Sequence, residues 1–431
     1  MPDSDQNSQA GAIAEDLFRR ESVRLVAMLV GQFGAHRLQL AEDVVQESLI
    51  RAMQTWPYRG IPDNPAAWLT QTARNLALDH LRREQNWNDK AESIAFEHER
   101  WAAAPRLREE NADTFTDDTL RMMFVCFHPQ LSVEAQITLA LRTLCGLSPA
   151  EIAAAFLTSE AAVAKRLVRA RQRIRELNLP FVVPTPDELP ARLDGVLATL
   201  YLLFNEGYKA SSGDRLVREE LCHEAIRLGL ELAGHPATRQ PRTHALAALM
   251  LFNAARLGAR TDDAGHLLRL HEQDRSRWDH AMIARGAHHL ALASAGDAVS
   301  EYHLQAGIAA CHAAAKDDAA TDWQRILALY DELVKLNPSP VIALNRAVAV
   351  ARVHGPQAGM QALDGIRQRS LLESQHLYHA TRGHFAAELG YTAAAVAHFR
   401  QAAKFAALPA ERDFIARRIE ECEGAIKRQA R

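Results

Sequence analysis

Basic side chains are concentrated in one short stretch of the chain, and the chemistry they offer is electrostatic. From Ser159 to Arg175 the only acid is Glu160, against six bases, although the whole chain has a net charge of −3. The bases are Lys165, Arg166, Arg169, Arg171, Arg173 and Arg175. Local positive charge suits the neutralisation of nucleic-acid phosphates, although a basic helical face is often only a solvated surface. The stretch therefore indicates binding to a polyanion.

The elements that would position these bases are two helices joined by a tight turn. Ser148 is a typical N-cap, Pro149 suits the first helical position, and Glu151 can close a capping box. Thr158 and Ser159 suit the turn and the cap of the second helix. In that helix, spacings of four, three and four residues predict one buried stripe, formed by Val163, Leu167, Ala170 and Ile174. The pattern predicts a helix-turn-helix, whose second helix enters the DNA major groove with its N-terminal end first.

Composition predicts an all-α protein with more than one domain. The chain has 431 residues, too many for one ordinary core, and alternating β-branched runs are nearly absent. The cysteines form no CxxC pair, so we expect buried thiols in a reducing cytoplasm, without a disulfide framework or a zinc site. They are Cys126, Cys145, Cys222, Cys311 and Cys422. We find no signal peptide and no apolar run near about eighteen residues, which predicts no contact with a membrane.

Three helices are predicted before the basic stretch. The first spans about residues 12–33, the second residues 41–55 and the third residues 66–84, with a Pro- and Gly-rich loop at 56–65. In the second helix the inward residues would be Val44, Val45, Leu49 and Met53. In the third, Trp68 is either a core residue or a platform for a stacked base. The other inward residues of the third helix would be Leu69, Ala73, Leu76 and Leu81.

Three motifs, taken in their order, resemble a bacterial RNA polymerase sigma factor of the extracytoplasmic-function group. They are DVVQESLIRAM, PAAWLTQTARNLALDHLRRE and KRLVRARQRIR. The resemblance covers about residues 12–178. It implies two small helical sigma-type domains, residues 12–85 and 114–178, joined by a linker at 86–113. A sigma factor performs no catalysis itself; it gives the polymerase promoter recognition and melting.

The resemblance also implies roles for individual residues. The outer face of the second helix would bind core RNA polymerase, since its acidic character suits a basic partner helix; its members are Asp43, Gln46 and Glu47. The −10 promoter element would be captured with an unstacked base, by Arg59, Asn64, Arg74, Asn75, Asp79, Arg82 and Arg83. The −35 element would be recognised by Ser159, Glu160, Ala161, Lys165, Arg166, Arg169 and Arg173.

The back half of the chain has the pattern of helical repeats. A Pro-rich linker at residues 179–190 precedes a long amphipathic region, residues 191–431. Two segments align at a period of thirty-five residues, with Gly355 and Gly390 in register. In the second segment, small and aromatic residues lie where a tetratricopeptide repeat has them, at Gly383, Ala395, Phe399 and Ala402. YLLFNEGYKASSGDRLVREELCHEAIRLG and QDRSRWD resemble the C-terminal domain of the sigma-factor subgroup that is fused to such repeats.

Two polar groups of the back half invite other interpretations. The histidines His288 and His289, with Asp274 and Asp279 upstream, lack the spacing of a metal site, so we expect helix-surface or core histidines. A second group would line a ligand groove or an intramolecular docking groove: Asn205, Glu206, Tyr208, Asp214 and Arg215. For residues 187–431 as a whole we expect packing on the two sigma-like domains, which would set their orientation.

The sequence therefore predicts an all-α, cytoplasmic, promoter-specific subunit of RNA polymerase with a tetratricopeptide-like regulatory domain. Its expected partners are core RNA polymerase and promoter DNA, and we expect no enzymatic activity, no cofactor and no metal. One alternative is a helix-turn-helix regulator that binds duplex DNA and senses a signal through its repeats. Another is a repeat scaffold whose basic helix is incidental.

Overall fold

The computed structural model describes residues 21–87, 118–144, 146–156, 158–177, 181, 185, 187–210, 217–262 and 266–429. Within these ranges the chain is helical, with one isolated bridge between Thr261 and Leu267 and no strand, which confirms the all-α prediction. In the first half the helices are α1 (described from residue 21 to 33), α2 (Leu38–Arg59), α3 (Pro65–Trp87), α4 (Asp118–Cys126), α5 (Val133–Thr143), α6 (Pro149–Ala155), α7 (Glu160–Leu177) and α8 (Leu189–Tyr208).

The second half contains ten further helices within the described residues. They are α9 (Glu219–Gly234), α10 (Pro241–Ala254), α11 (His280–Ala293), α12 (Glu301–Ala314), α13 (Trp323–Leu336), α14 (Pro340–His354), α15 (Pro356–Asp364), α16 (His376–Glu388), α17 (Thr392–Phe405) and α18 (Pro409–Gln429). No helix in the described part is long and apolar enough to cross a membrane.

The chain forms two compact units, and the division falls inside α8. The first unit comprises the residues up to Leu202 together with His235–Thr238, and the second comprises Leu203–Gly234 with the chain from Arg239 onward. The sequence places the start of the repeat region at residue 191, a boundary that stays a prediction. By its contacts, the beginning of α8 belongs with the sigma-like part.

Helices α2 and α3 pack against each other and differ from the predicted bounds at their ends. Trp56 is buried and its ring meets that of Trp68 edge to face at 5.6 Å, so the last turn of α2 is held in place. The helix therefore continues through Pro57 to Arg59. Gly60 caps it, with φ at 83° and its N–H donating to the Trp56 carbonyl. The predicted loop at 56–65 is correspondingly shorter, and α3 continues to Trp87.

The inward faces of these helices are mostly as predicted, with one error. Val44 and Val45 are buried on α2, and Leu69, Ala73, Leu76 and Leu81 are buried on α3. Met53 is 51% exposed, because the buried stripe of α2 passes through Ala52 and Trp56 instead. The prediction that Met53 packs inward is therefore wrong.

The predicted helix-turn-helix is present as α6 and α7. The Ser148 N–H donates to Glu151 Oε2 at 2.6 Å and the Glu151 N–H donates to Ser148 Oγ at 3.2 Å, which confirms the capping box. The stripe of Val163, Leu167, Ala170 and Ile174 is buried, as its spacing predicts. Leu157, in the turn between the two helices, lies outside the described residues.

The first part of α8 is built into the core of the first unit. Four side chains of this part are fully buried, namely Leu193, Val196, Leu197 and Leu200. The Phe127 ring lies so close to Gly195 that a Cβ there would come within 2.4 Å of it, so this helix contact requires glycine. Arg192 Nη1 donates to the Phe124 carbonyl at 3.2 Å. These contacts attach α8 to α4.

In the second unit, successive helices approach closely where a small residue faces a large one. A Cβ on Gly359 would lie 2.9 Å from the Phe385 ring, and one on Gly383 would lie 2.9 Å from the Phe399 ring. Gly355 and Gly390, aligned in the sequence, have φ values of 89° and 79°; Gly355 caps α14, and Gly390 lies just beyond α16. The predicted core positions Ala395, Phe399 and Ala402 are buried.

The start of the second unit is anchored by buried charge. Lys209 Nζ lies 2.8 Å from Glu411 Oε1, and His376 Nε2 lies 3.2 Å from the same oxygen. Arg260 Nη1 donates to the Tyr208 carbonyl, and its guanidinium lies 3.9 Å from the centre of the Tyr208 ring. Because helix C-terminal carbonyls favour cations, Arg260 stabilises the end of α8.

The cysteines in the described residues are free thiols. Cys126, Cys222 and Cys422 are buried, as expected of small hydrophobic residues, and Cys311 is half-buried. Burial raises the pKa of the Cys222 thiol to about 12, which leaves it protonated at neutral pH. Cys145 lies outside the described residues.

Candidate polymerase and DNA interface

The outer face of α2 presents the acidic set predicted to bind core polymerase. Asp43 and Gln46 are exposed and Glu47 is half-exposed. Asp43 Oδ1 accepts a hydrogen bond from Gln39 Nε2 at 3.0 Å, and Glu47 Oε1 lies 2.8 Å from Arg51 Nη2. Both contacts join residues four apart on the same helix, so they leave the carboxylates on the outer surface.

The outer face of α3 carries most of the residues predicted to bind the −10 element. Spacings of four and three residues place Asn75, Asp79 and Arg82 side by side, and Arg74 lies next to Asn75 in the sequence. Asn75 Oδ1 accepts a hydrogen bond from Gln71 Nε2 at 2.9 Å, and Asp79 Oδ1 lies 3.6 Å from Arg82 Nη1. Arg74 is half-buried, and burial lowers the pKa of its guanidinium.

The remaining −10 residues lie at the two ends of this face. Arg59 is exposed at the end of α2, and Arg83 is exposed on α3. Asn64 Oδ1 accepts the Ala67 N–H at 3.0 Å, so this side chain caps the start of α3. Trp68 is half-buried against Trp56, which favours core packing over base stacking.

At the start of α7, the predicted −35 residues share one exposed end of the helix. Ser159 Oγ accepts the Ala162 N–H at 3.3 Å, so Ser159 is the N-cap. Glu160 and Ala161 are exposed beside it. Further along the helix, Lys165 and Arg169 are exposed on the side opposite the buried stripe.

Two other bases of α7, Arg166 and Arg173, contact the protein itself. Arg166 Nη2 lies 2.9 Å from Glu134 Oε2, and the Arg166 guanidinium lies 5.7 Å from the centre of the Phe156 ring. Arg173 Nη2 donates to Gln130 Oε1 at 3.3 Å. These contacts hold two predicted −35 residues along the flank that faces α5.

An ion pair between α2 and α7 was not expected from the sequence. Arg171 Nη2 lies 2.7 Å from Glu42 Oε2, with side chains only 17% and 15% exposed. The Thr143 hydroxyl donates to Glu42 Oε1 at 2.9 Å. Burial raises the pKa of the Glu42 carboxyl, against the lowering effects of Arg171 and Thr143. The pair joins the first three helices to the helix-turn-helix.

Sequence reasoning also missed an exposed apolar residue on the outer face of α7. Val168 is 60% exposed and lies between Lys165 and Arg169 in the sequence. The signal was present in the spacing, because Val168 lies next to Leu167 of the buried stripe and seven residues after Ala161. The described residues contain no group of three or more potential metal ligands, including around His288 and His289.

Three families match successive parts of the chain. Sigma-70 region 2 matches residues 17–87, and sigma-70 region 4 matches residues 121–174. The first match contains α2 and α3, and the second contains the helix-turn-helix. Residues 192–294 match a family of unknown function, DUF6596.

Two relatives extend these matches. An uncharacterized protein of Rhizobium meliloti (strain 1021) is 39% identical over 384 residues, covering 88% of this chain and 89% of that protein. The probable ECF RNA polymerase sigma factor SigI of Mycobacterium tuberculosis is 27% identical over 266 residues, 58% of this chain and 88% of that protein. No solved structure matches.

The helical faces and the matches agree on the same two segments. The polymerase and −10 residues lie within the region 2 match, and the −35 residues lie within the region 4 match. The alignment with the Rhizobium relative extends over most of both chains, so it reaches both segments. The chain belongs to one family with that uncharacterized Rhizobium protein, and its matches to sigma-70 regions 2 and 4 support a sigma factor of the sigma-70 family.

Proposed function

We propose that this chain is an alternative sigma factor of the extracytoplasmic-function group, acting in the cytoplasm, with a C-terminal tetratricopeptide-like domain that modulates it. One observation carries the proposal: both sigma-70 matches present most of the expected side chains outward, on α2 and α3 in one and on α7 in the other.

Core polymerase binds the acidic face of α2. Asp43 and Glu47 lie one helical turn apart, with Gln46 between them, and form a polar patch exposed to solvent. Two carboxylates at this spacing suit a helix that carries lysine or arginine at matching positions. The neighbouring Glu42 points inward to Arg171 and takes no part in this face.

The −10 element binds across α3 and its N-terminal loop. Arg82 and Arg83 are exposed cations near the end of the face, and Asn75 offers an amide near its middle. Cations that track the backbone, together with polar groups that reach the bases, suit a single strand separated from its complement. Arg59 extends this surface across the loop.

The −35 element binds the exposed face of α7. Lys165 and Arg169 lie one turn apart near the N-terminal half of the helix, the half that a helix-turn-helix places against base edges. Arg173 lies a further turn along and suits contact with a phosphate.

Modulation by the C-terminal region rests on α8. The match to DUF6596 begins at residue 192, so its first turns coincide with the part of α8 that is buried against α4. A helix fixed by Leu193, Val196 and the Gly195–Phe127 contact is suited to pass a change in the C-terminal region to the helix-turn-helix. This supports coupling between the C-terminal region and the helix-turn-helix. Experiment decides whether the C-terminal region raises or lowers transcription.

The test is run-off transcription with core polymerase. Full-length chain should support initiation, and Asp43→Lys with Glu47→Lys should abolish holoenzyme formation. The matched control is Asp297→Lys with Asp413→Lys, two exposed acids outside the sigma-70 matches. Initiation that survives the α2 reversal, or specific DNA binding that needs no polymerase, would instead support a simple helix-turn-helix regulator.

Coupling is tested by truncation after residue 202. A chain that ends at residue 202 keeps the buried turns of α8. A chain that ends at residue 180 would expose Phe124 and Phe127, so a change in its activity could come from misfolding. Circular dichroism checks that the shortened chain is folded. Equal activity of the two chains at equal concentration, with unchanged hydrogen exchange in α2 and α7, would remove the modulation proposal.

A further inference from the structure

The middle of the exposed face of α7 contains an apolar side chain. Val168 is 60% exposed, although it belongs to the same helix as the buried stripe that contains Val163 and Leu167. Seven residues separate it from Ala161, so the two lie on one side of the helix, about 10 Å apart at the usual helical rise. Val168 therefore points where the helix would meet a partner.

The charges around Val168 identify the chemistry of that partner. Lys165 and Arg169 are exposed on either side of it in sequence. Glu134 and Glu42 pair with Arg166 and Arg171 on the two flanks of the helix, whereas Lys165 and Arg169 form no ion pair within the part of the chain that the structure describes. A central face with two cations and one apolar group suits a polyanion that also offers a small apolar surface.

Duplex DNA offers such a surface at one kind of base. In the major groove the edges of guanine, cytosine and adenine present hydrogen-bonding groups, whereas thymine also presents its C5-methyl group. A valine cannot satisfy a hydrogen-bonding group, but it can bury that methyl. An exposed valine in a groove-facing position therefore discriminates by apolar contact.

We propose that Val168 selects a thymine in the −35 element by contact with its C5-methyl group. The inference rests on the proposed function, since it requires α7 to lie in the major groove. Lys165 and Arg169 supply affinity and hydrogen-bonded contacts beside that thymine.

The experiment removes the methyl from the DNA and the side chain from the protein. Full-length chain with core polymerase first selects its −35 element from a random library. Each thymine of that element is then replaced by deoxyuridine, which lacks only the methyl. One replacement should weaken binding about fourfold, the effect of one buried methyl-sized group. The Val168→Ala holoenzyme, with a shorter side chain, should lose most of the difference between the thymine and deoxyuridine promoters.

Two further variants separate this role from a general effect. Val299→Ala removes a valine of matched exposure, 59%, from the second unit and should leave the deoxyuridine effect intact. Val168→Thr replaces one of the two methyl groups with a hydroxyl and should show a preference for thymine between those of the parent and Val168→Ala. Because Val168 is exposed, both of its variants should retain the stability of the parent chain.

The outcomes distinguish this inference from the proposed function. A holoenzyme that selects no −35 element would overturn the proposed function. Selection of an element without thymine in reach, insensitivity of the parent to deoxyuridine, or a Val168→Ala variant that keeps that sensitivity would overturn the role of Val168 alone.

Discussion

The helices α3 and α7 are both predicted to face DNA, yet they hold their charged side chains in different ways. On α3 the contacts of the predicted −10 residues Asn75 and Asp79 are local, Gln71 with Asn75 and Asp79 with Arg82, although Glu84 of the same helix pairs with Arg37. On α7, by contrast, two of the six bases pair with acids from other helices, Arg166 with Glu134 and Arg171 with Glu42.

This difference bears on what a basic stretch means. A pair between residues three or four apart keeps both side chains on the surface and is weak. A pair with a distant acid turns the base toward the protein and makes it part of the fold. The number of bases on α7 therefore overstates the number that can reach DNA, whereas Arg82 and Arg83 of α3 stay exposed.

The largest effect is expected at Arg171. Arg171→Ala leaves the Glu42 carboxylate buried without its partner, and such losses typically cost about 3–5 kcal/mol of stability. Hydrogen exchange of the full chain should show faster opening of α2 and α7, with little change in the second unit. Arg175→Ala, at an exposed position of the same helix, is the control. Equal protection from hydrogen exchange in both variants would mean that the Arg171–Glu42 pair does not stabilise the contact between α2 and α7.

Next in size are the effects at the exposed bases of α7. Lys165→Ala and Arg169→Ala should each weaken promoter binding by about 1–3 kcal/mol if the side chain contacts a base, without loss of stability. Arg166→Ala should have a smaller effect on binding, because Glu134 already holds this side chain. Promoter-binding titrations of the three holoenzymes measure the order. If Arg166→Ala loses the most promoter affinity of the three variants, the flank of α7 that faces α5 contains the DNA contact.

A dependence on pH follows from the burial of Glu42. Its pKa is raised in the folded chain, so between the ordinary value of 4.5 and the raised value the folded state holds a proton that the unfolded state has lost. Stability from this group is therefore greatest at low pH and falls as pH rises through that window, by at most about 1.4 kcal/mol per pH unit. The difference between the parent and Glu42→Gln, measured by unfolding across this range, should show the slope. Parallel curves of unfolding free energy against pH for the two chains would mean that the Glu42 carboxyl is exposed to solvent.

The parts of the fold that could be predicted depend on neighbours in sequence. The capping box of Ser148 and Glu151 and the buried stripe that contains Val163 depend on spacings of three and four residues. The exposure of Met53 and the extra turn of α2 could not be predicted, because they depend on how Trp56 meets Trp68.

The candidate site divides in the same way. The outward placement of Asp43, Asn75 and Lys165 follows from helical periodicity. The pairing of Arg171 does not, because it depends on Glu42, which also binds Thr143 across 101 residues of sequence. Val168 was in the sequence but became informative only once its exposure was known.

The smallest effect is expected on α3, where Asp79 tests the claim that local pairs leave a face available. Asp79 lies 3.6 Å from Arg82, and both side chains are more than half exposed. Asp79→Asn should change stability by less than about 0.5 kcal/mol, since exposed pairs at this spacing contribute little.

The same variant removes one negative charge from the α3 face and frees Arg82 for a phosphate. Holoenzyme binding to a single-stranded −10 oligonucleotide should therefore strengthen at low salt, and its salt dependence should steepen by up to about 0.7 in the log–log slope. Asp63→Asn, at an exposed acid of the loop before α3, controls for a general change in charge. A loss of stability above about 1 kcal/mol would show that the Asp79–Arg82 pair supports the fold, and the contrast between α3 and α7 would then fail.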